Sequence, residues 1–365
     1  MVTSSFTLTM NPASDGDALL LRWSRGDVTR TALVDLGRTR DYRALRPTLA
    51  DISVLDLLVI THIDADHIEG AVPLFGEAEP PFSARNVWFN AREQLARAEQ
   101  RSSDAREALG AKQAERVTEG LLTARWPWNA HFASGVVSTD SPEAIGPIRL
   151  VGGLEITLLS PSDRKLRELI PDWDRELRKA GMSTADPEEV EEVLAEGRER
   201  MGVPNPESLA ATRYKPDDTT PNGSSIAFVA EYDGRKVLMG ADAHSEELEE
   251  ALGRLGASKD NPYRLDCLKV SHHGSKANTS PALLRMIDCP RFAFSTNGTR
   301  HGHPDEETIS RILVADPQRP KTLYFNFRQP KAALWERPDL QRRYSYCCVY
   351  PRASEKGMII DLRLD

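Results

Sequence analysis

The stretch LLVITHIDADHIEG places four side chains of metal-ligand type, His62, Asp64, Asp66 and His67, within six residues. Each offers an imidazole nitrogen or a carboxylate oxygen. The apolar run LDLLVI just before them reads as a buried strand ending at Thr61. In an extended chain the side chains at 62, 64 and 66 point the same way. His67 is then expected at the start of a helix, IEGAVPLF. A strand end this dense in donors suits two divalent ions, with the remaining positions open to water. A polar loop with chance His and Asp residues is the alternative, but it fits a lone His-Asp pair better than four donors.

The chain has eight histidines, and four more of them fall in two short motifs that also follow strand-like runs. LKVSHHGSKANTS carries His272 and His273, and STNGTRHGHP carries His301 and His303. A further strand end, VLMGADAH, presents Gly240, Asp242 and His244. Ligands gathered from several strand ends are the usual way an α/β scaffold builds a site on its loops. His131, in WPWNAHF, reads as a packed surface histidine among aromatics, and His301 is expected to face solvent.

The elements that must position these residues are legible in outline. FTLTM, ALLLRW and TALVDLG read as strands separated by Gly, Asp, Asn and Pro punctuation. YRALRPTLADIS reads as a helix, and IRLVGGLEITLLSP as two short strands. SSIAFVAEY and RKVLMGAD form a predicted hairpin around Asp233-Gly234. Helix and strand then alternate through HSEELEEALGRL, LDCLKV, SPALLRMI, RFAFS and DEETISRIL. LYFNF, SYCCVYP and GMIIDLRL close the chain as strands. A mixed β then βα layout in both halves predicts an α/β sandwich. Two charged helical stretches, at about 91–128 and 162–205, read as solvated insertions into a single 1–365 domain. Their other expected role is to shape a substrate groove or dock a protein partner.

The bulk composition bounds the class. The chain has 365 residues, 40% of them hydrophobic, and a mean hydropathy of -0.46, as in a water-soluble globular protein. No apolar run reaches the roughly 18 to 20 residues that span a bilayer. The opening MVTSSFTLTMNPASDG lacks a basic start and an apolar core, so no signal peptide and a cytoplasmic location are expected. The four cysteines, Cys267, Cys289, Cys347 and Cys348, form no C-x-x-C pair and predict no disulfide. The net charge of -8 argues against a protein that coats nucleic acid, though not against a local basic groove.

Taken in order, these motifs resemble the metallo-β-lactamase superfamily. They most resemble the branch containing the nuclease-like domain of ComEC-type DNA-uptake proteins and their stand-alone soluble relatives. The matching residues are Gly16-Asp17-Ala18, Asp35 with Gly37, His62 to His67, Asp242, His272 to Ser275, and Gly302-His303-Pro304. They span nearly the whole chain, and their combined order is far more specific than any one of them. Two departures stand out. The wider superfamily usually has His where this chain has Asp64, a substitution the ComEC-like branch shares. The branch's Gly-Asp pair is also interrupted here, as Gly240-Ala241-Asp242.

The resemblance implies a metallo-β-lactamase-type αββα sandwich carrying a dinuclear centre. His62 and Asp64, with His272, would serve one metal; Asp66, His67 and His303 would serve the other; Asp242 would bridge them. Asp66 alternatively orients the attacking water. His273 is either a ligand in place of His272 or a proton donor to the leaving group. Asp35 is expected to orient a ligand histidine. His244 is expected to support the site from behind or to begin a helix rather than to bind metal. Ser275 and Lys276 are candidates for binding a phosphate, against a helix cap and a solvated lysine. Asn222, with Ser224 and Ser225, is a candidate substrate contact, against a plain turn. The harder oxygen of Asp64 makes Mn²⁺ a rival to Zn²⁺.

The implied activity is that of a metal-dependent hydrolase, a phosphodiesterase or nuclease using a metal-bound hydroxide on DNA or RNA. Hydrolysis of a small ester (a phosphorylcholine-type ester, thioester or lactam) is a second expectation, since the fold hosts all of these. A non-enzymatic metal-binding partner protein is a third.

Overall fold

In the computed structural model, residues 3–100, 112–182, 203–352 and 355–363 are described. The first half supplies strands β1 (Ser4–Met10), β2 (Leu19–Arg25), β3 (Val28–Val34), β4 (Leu57–Val59) and β5 (Val87–Trp88). The rest supplies β6 (Ile148–Arg149), β7 (Glu155–Ser160), β8 (Ala227–Tyr232), β9 (Arg235–Met239) and β10 (Cys267–Lys269). It continues with β11 (Arg291–Phe294), β12 (Lys321–Phe325), β13 (Tyr346–Val349) and β14 (Met358–Asp361). The first sheet has the order β14-β1-β2-β3-β4-β5, and the second β13-β12-β11-β10-β9-β8-β7-β6.

Period-two patterning explains how the sheets stack. Along β2, Leu19, Leu21 and Trp23 face inward and Leu20 faces outward. Between the sheets, Phe6, Leu8 and Trp23 meet Ile156, Phe228 and Met239. The outer face of the first sheet packs on α1 (Thr39–Leu49), α4 (Arg92–Gln100), α5 (Lys112–Ala124) and α6 (Asp163–Met182) through Leu45, Leu95, Val117 and Trp173. The outer face of the second packs on α7 (Ser245–Arg254), α8 (Pro281–Arg285) and α9 (Glu306–Ala315) through Leu248, Leu283 and Ile309. The result is a four-layer αββα sandwich, the architecture expected from the sequence.

Two expectations need correction. The charged stretches are not merely solvated insertions: α4, α5 and α6 bury Leu95, Ala98, Val117, Leu121, Leu166 and Trp173 in the layer beside the first sheet. Residues 101–111 and 183–202 of those stretches lie outside the described residues. The metal-ligand loop is also not extended throughout. A short turn of helix, α2 (Ala65–Ile68), has Asp64 as its N-cap, so Asp66 and His67 are already helical. Gly70 then separates it from a second turn, α3 (Ala71–Gly76), where one helix was expected.

Strand direction decides where the loops gather. β3 and β4 run parallel, and β9, β10 and β11 run parallel to one another. Their C-terminal ends open on one edge, where loops of α/β sheets bind ligands. Asp35 follows β3, His62 follows β4, Asp242 follows β9, and His272 and His273 follow β10.

Candidate metal centre

The carboxylate of Asp242 is the point on which the imidazoles converge. Its oxygens lie 3.9 Å from His62 Nε2, 3.5 Å from His67 Nε2, and 3.7 Å from Nε2 of both His272 and His273. Asp66 Oδ2 lies 3.3 Å from His273 Nε2 and 3.8 Å from His67 Nε2. Asp64 Oδ2 lies 3.7 Å from His62 Nε2. Asp242, His62, His67 and His273 are buried, and Asp64 is open to solvent with its side chain 42% exposed. The centre therefore has one wet side.

The other ring nitrogen of each imidazole is already committed. His67 Nδ1–H donates to Asp35 Oδ2 at 2.8 Å. Thr61 Oγ1–H donates to the same Asp35 oxygen, so it accepts from His62 Nδ1–H at 3.0 Å. His273 Nδ1–H donates to the Ser295 carbonyl at 2.8 Å. His272 Nδ1–H donates to Asn278 Oδ1 at 2.9 Å, and Asn278 Nδ2–H donates on to Asp217 at 2.9 Å. These acceptors assign the tautomer, leaving Nε2 as the free nitrogen in all four rings.

The strand ends are bent to achieve this. Asp35, Ala241, His272 and His273 all adopt left-handed backbone, with φ of 58°, 44°, 46° and 53°. Non-glycine residues held in that region signal a conformation imposed by the surroundings. At His272 and His273 it turns two consecutive rings toward one carboxylate.

The electrostatics follow from packing acids against imidazoles. Burial alone would push the Asp242 carboxyl up, but His67, His273 and His272 hold it well below the usual carboxylate range. Burial likewise opposes charge on His67, yet Asp242, Asp35 and Asp66 raise it well above an ordinary histidine. His272 is raised to about 9, against burial, by Asp242 and Asp217. The carboxylates demand positive charge, and protonated imidazoles or a divalent ion can supply it.

The donor set fits metal. His62 Nε2 and Asp242 Oδ1 are sealed from solvent and have no hydrogen-bond partner. Two bare nitrogens, His67 Nε2 and His273 Nε2, face each other at 3.2 Å. His62, His67 and Asp242 form one group able to hold an ion, and Asp66, His67 and His273 form another. A third grouping, Asp17 with Asp35 and His67, is different. There Lys269 Nζ sits 2.7 Å from Asp17 Oδ2, and His67 Nδ1–H is taken by Asp35.

The remaining sequence candidates are placed as follows. The His303 ring lies 5.2 Å from that of His272, with Nδ1 3.7 Å from Asp305, and it belongs to none of the ligand groups among the described residues. His244 turns away: Nδ1 accepts from Lys165 Nζ at 2.9 Å and Nε2–H donates to the Thr219 carbonyl at 3.0 Å. Asn222 lies 3.3 Å from His272 Nδ1 and donates to Asp217 at 2.7 Å. Ser275 Oγ accepts from the Ala277 amide, and no helix follows for it to cap. Lys276 is solvated and paired with Glu307 at 3.0 Å. His301 is exposed, and His131 accepts from Trp88 Nε1–H at 3.0 Å.

Several supporting residues carried no signal of their own. Asp217 lies in a turn-rich run, TRYKPDDTTPNGSS, with no diagnostic spacing. Asn278 and Lys269 sit inside or beside the His-His motif, but their roles depend on Asp217 and Asp17, respectively 61 and 252 residues away.

No family model matches the chain, and no curated protein matches it. Solved structures similar to it include the following two. The metallo-beta-lactamase fold protein YhfI from Bacillus subtilis is 11% identical, with a TM-score of 0.40, over 98% of this chain and 99% of that one. A long form RNase Z from yeast is 12% identical, with a TM-score of 0.37, over 98% of this chain and 42% of that one. Among the described residues, no helix is long and apolar enough to cross a membrane.

Proposed function

We propose that this protein is a dinuclear metal-dependent hydrolase acting on phosphodiesters, most concretely a nuclease. The observation that carries the reading is the convergence of four imidazoles, each with Nδ1 committed and Nε2 free, on the single carboxylate of Asp242. His62 and Asp64, with His272, would hold one ion. Asp66 and His67 would hold the other, with Asp242 shared. His273 completes the second set in place of His303, because its Nε2 lies 3.3 Å from Asp66 whereas His303 contacts His272 and Asp305. Zn²⁺ and Mn²⁺ both suit this mixture of imidazole and carboxylate donors.

When bound, such a pair of ions would supply Lewis acidity toward a water nucleophile and toward phosphoryl oxygens. The chain's own residues do the rest. Asp35 and Thr61 fix His62 and His67, and Asp217 with Asn278 fixes His272. Asp64, with its side chain 42% exposed, stands on the open side of the centre, and His303, beside His272, is a candidate contact for substrate. The carboxylate at position 64 adds oxygen to the donor set, which favours phosphoryl chemistry with harder ions.

The test is metal analysis of the purified protein together with hydrolysis of bis(p-nitrophenyl) phosphate and of single- and double-stranded DNA under Mn²⁺, Zn²⁺ and Mg²⁺. The expected result is bound metal and cleavage that Asp66→Ala abolishes. Cleavage retained by Asp66→Ala, or none by wild type with any of the three metals, would sink the reading.

A further inference from the structure

A cavity of about 1030 Å³ opens at the other end of the second sheet. Arg235, Arg291 and Lys321 are the first residues of β9, β11 and β12, and all three line it. Because β9 to β13 run parallel, this end is opposite the loops that carry Asp242, His272 and His273. β9 has five residues, so the two places are roughly 15 Å apart at about 3.3 Å per residue.

The charge of the lining is lopsided. Its cations are Arg235, Arg264, Arg291, Lys321 and Arg342, and its carboxylates are Asp266, Asp288 and Asp361. Asp266 is neutralised by Arg235 at 2.8 Å, and Asp288 pairs with Arg319. Four cations therefore stand against Asp361, in a chain whose net charge is -8. Arg264 and Arg342 are exposed and have no carboxylate partner among the described residues.

The decisive residue is Arg291. It is only 8% exposed, yet among the described residues its guanidinium hydrogen-bonds only to two backbone carbonyls, those of Asp266 and Leu362, both at 3.5 Å. That distance is the outer limit of a hydrogen bond. A buried guanidinium with five donors and no carboxylate is costly unless something else neutralises it. Lys321, also buried, hydrogen-bonds among the described residues to the carbonyls of Asp316, Arg319 and Tyr344, which carry no formal charge.

We propose that this cavity binds an organic phosphate. Arginine forks match phosphate oxygens in planar, paired hydrogen bonds, and three of them border the space without a carboxylate partner among the described residues. The volume is at the upper end of small-molecule sites, far larger than an inorganic ion needs. Half-buried Tyr324 and exposed Ile359 supply apolar surface for the organic part. The site is independent of the metal centre and of the reaction assigned to it.

The experiment is calorimetric titration with adenosine monophosphate, adenosine and inorganic phosphate, in chelator so that the metal centre takes no part. The expected result is salt-sensitive binding of the monophosphate, weaker binding of inorganic phosphate and none of adenosine. The exposed double substitution Arg264→Ser with Arg342→Ser should weaken the monophosphate about tenfold or more. It should leave the fold and metal-dependent hydrolysis unchanged, which separates this proposal from the catalytic one. Arg291→Lys should also weaken binding, since it keeps the charge and loses the fork. No binding of the monophosphate, or binding indifferent to the double substitution, overturns the proposal. Inorganic phosphate binding as tightly as the monophosphate reduces the cavity to an anion site and overturns the organic part. Tight binding of an oligonucleotide that excludes the monophosphate makes it a nucleic-acid surface and overturns it as well.

Discussion

Lys269 Nζ donates to Asp17 Oδ2 at 2.7 Å, with both side chains sealed from solvent. Lys269 ends β10 of the second sheet, and Asp17 leads into β2 of the first. The pair therefore ties the two sheets together directly beneath the histidines, and Asp17 Oδ1 lies 3.7 Å from His273 Nδ1. Removing one partner strands a buried charge, at a cost of about 3–5 kcal/mol. Lys269→Met and Asp17→Asn should each lower the denaturant midpoint markedly. The combined substitution should lose less than the sum of the two, because neither charge is then left alone. Strict additivity would show that the pair is not coupled.

Gly16 tests how the metal loop is seated. A Cβ at this position would lie 1.8 Å from the Asp66 carbonyl oxygen, which is backbone and cannot rotate away. Gly16→Ala must therefore push apart the segments carrying Asp17 and Asp66. The expected outcome is a folded protein with reduced metal content and hydrolysis, and a larger loss for Gly16→Val. Metal occupancy equal to wild type in both variants would contradict this packing.

The loop His62 to His67 was legible because four donors fall within six residues of the chain and follow a readable buried strand. The layers were legible because apolar strand-length runs are set off by turn residues, and in the second half they alternate with helix-length runs. What could not be read was contact between distant segments. The pairing of β1 with β14 is one case, since it joins the two ends of the chain. The choice between His272 and His273 is another, because it depends on two left-handed residues whose backbone the sequence does not announce. Asp217 had no periodicity to mark it, and its meaning comes only from Asn278 and Asn222 beside it.

That relay leads to a prediction about metal affinity. Asp217 holds Asn278, and Asn278 holds His272 with its free nitrogen toward Asp242. Partners that fix a ligand imidazole are typically worth about 10- to 100-fold in metal affinity. Asp217→Ala and Asn278→Ala should each weaken metal binding by that order. Asp35→Ala should weaken metal binding more, because it supports both His62, through Thr61, and His67. Competition titration with a chromogenic chelator measures the order, and an Asp35→Ala variant with wild-type affinity would refute it.

His131 predicts a pH dependence of stability away from the metal centre. Its Nδ1 accepts a hydrogen bond from Trp88 Nε1–H at 3.0 Å, an arrangement only the neutral ring can make. Burial also disfavours the imidazolium, so the folded pKa lies below the ordinary histidine value of 6.5. The unfolded chain then takes up the proton first as pH falls. The stabilising contribution is complete above about pH 6.5. It declines as pH drops below that value toward the folded pKa, and is constant once both states are protonated. His131→Asn, which removes the titrating group, should lose some stability at neutral pH and flatten this segment of the curve. Urea midpoints measured on both sides of pH 6.5, in chelator, give the comparison. An unchanged slope in His131→Asn would assign the acid sensitivity to other groups.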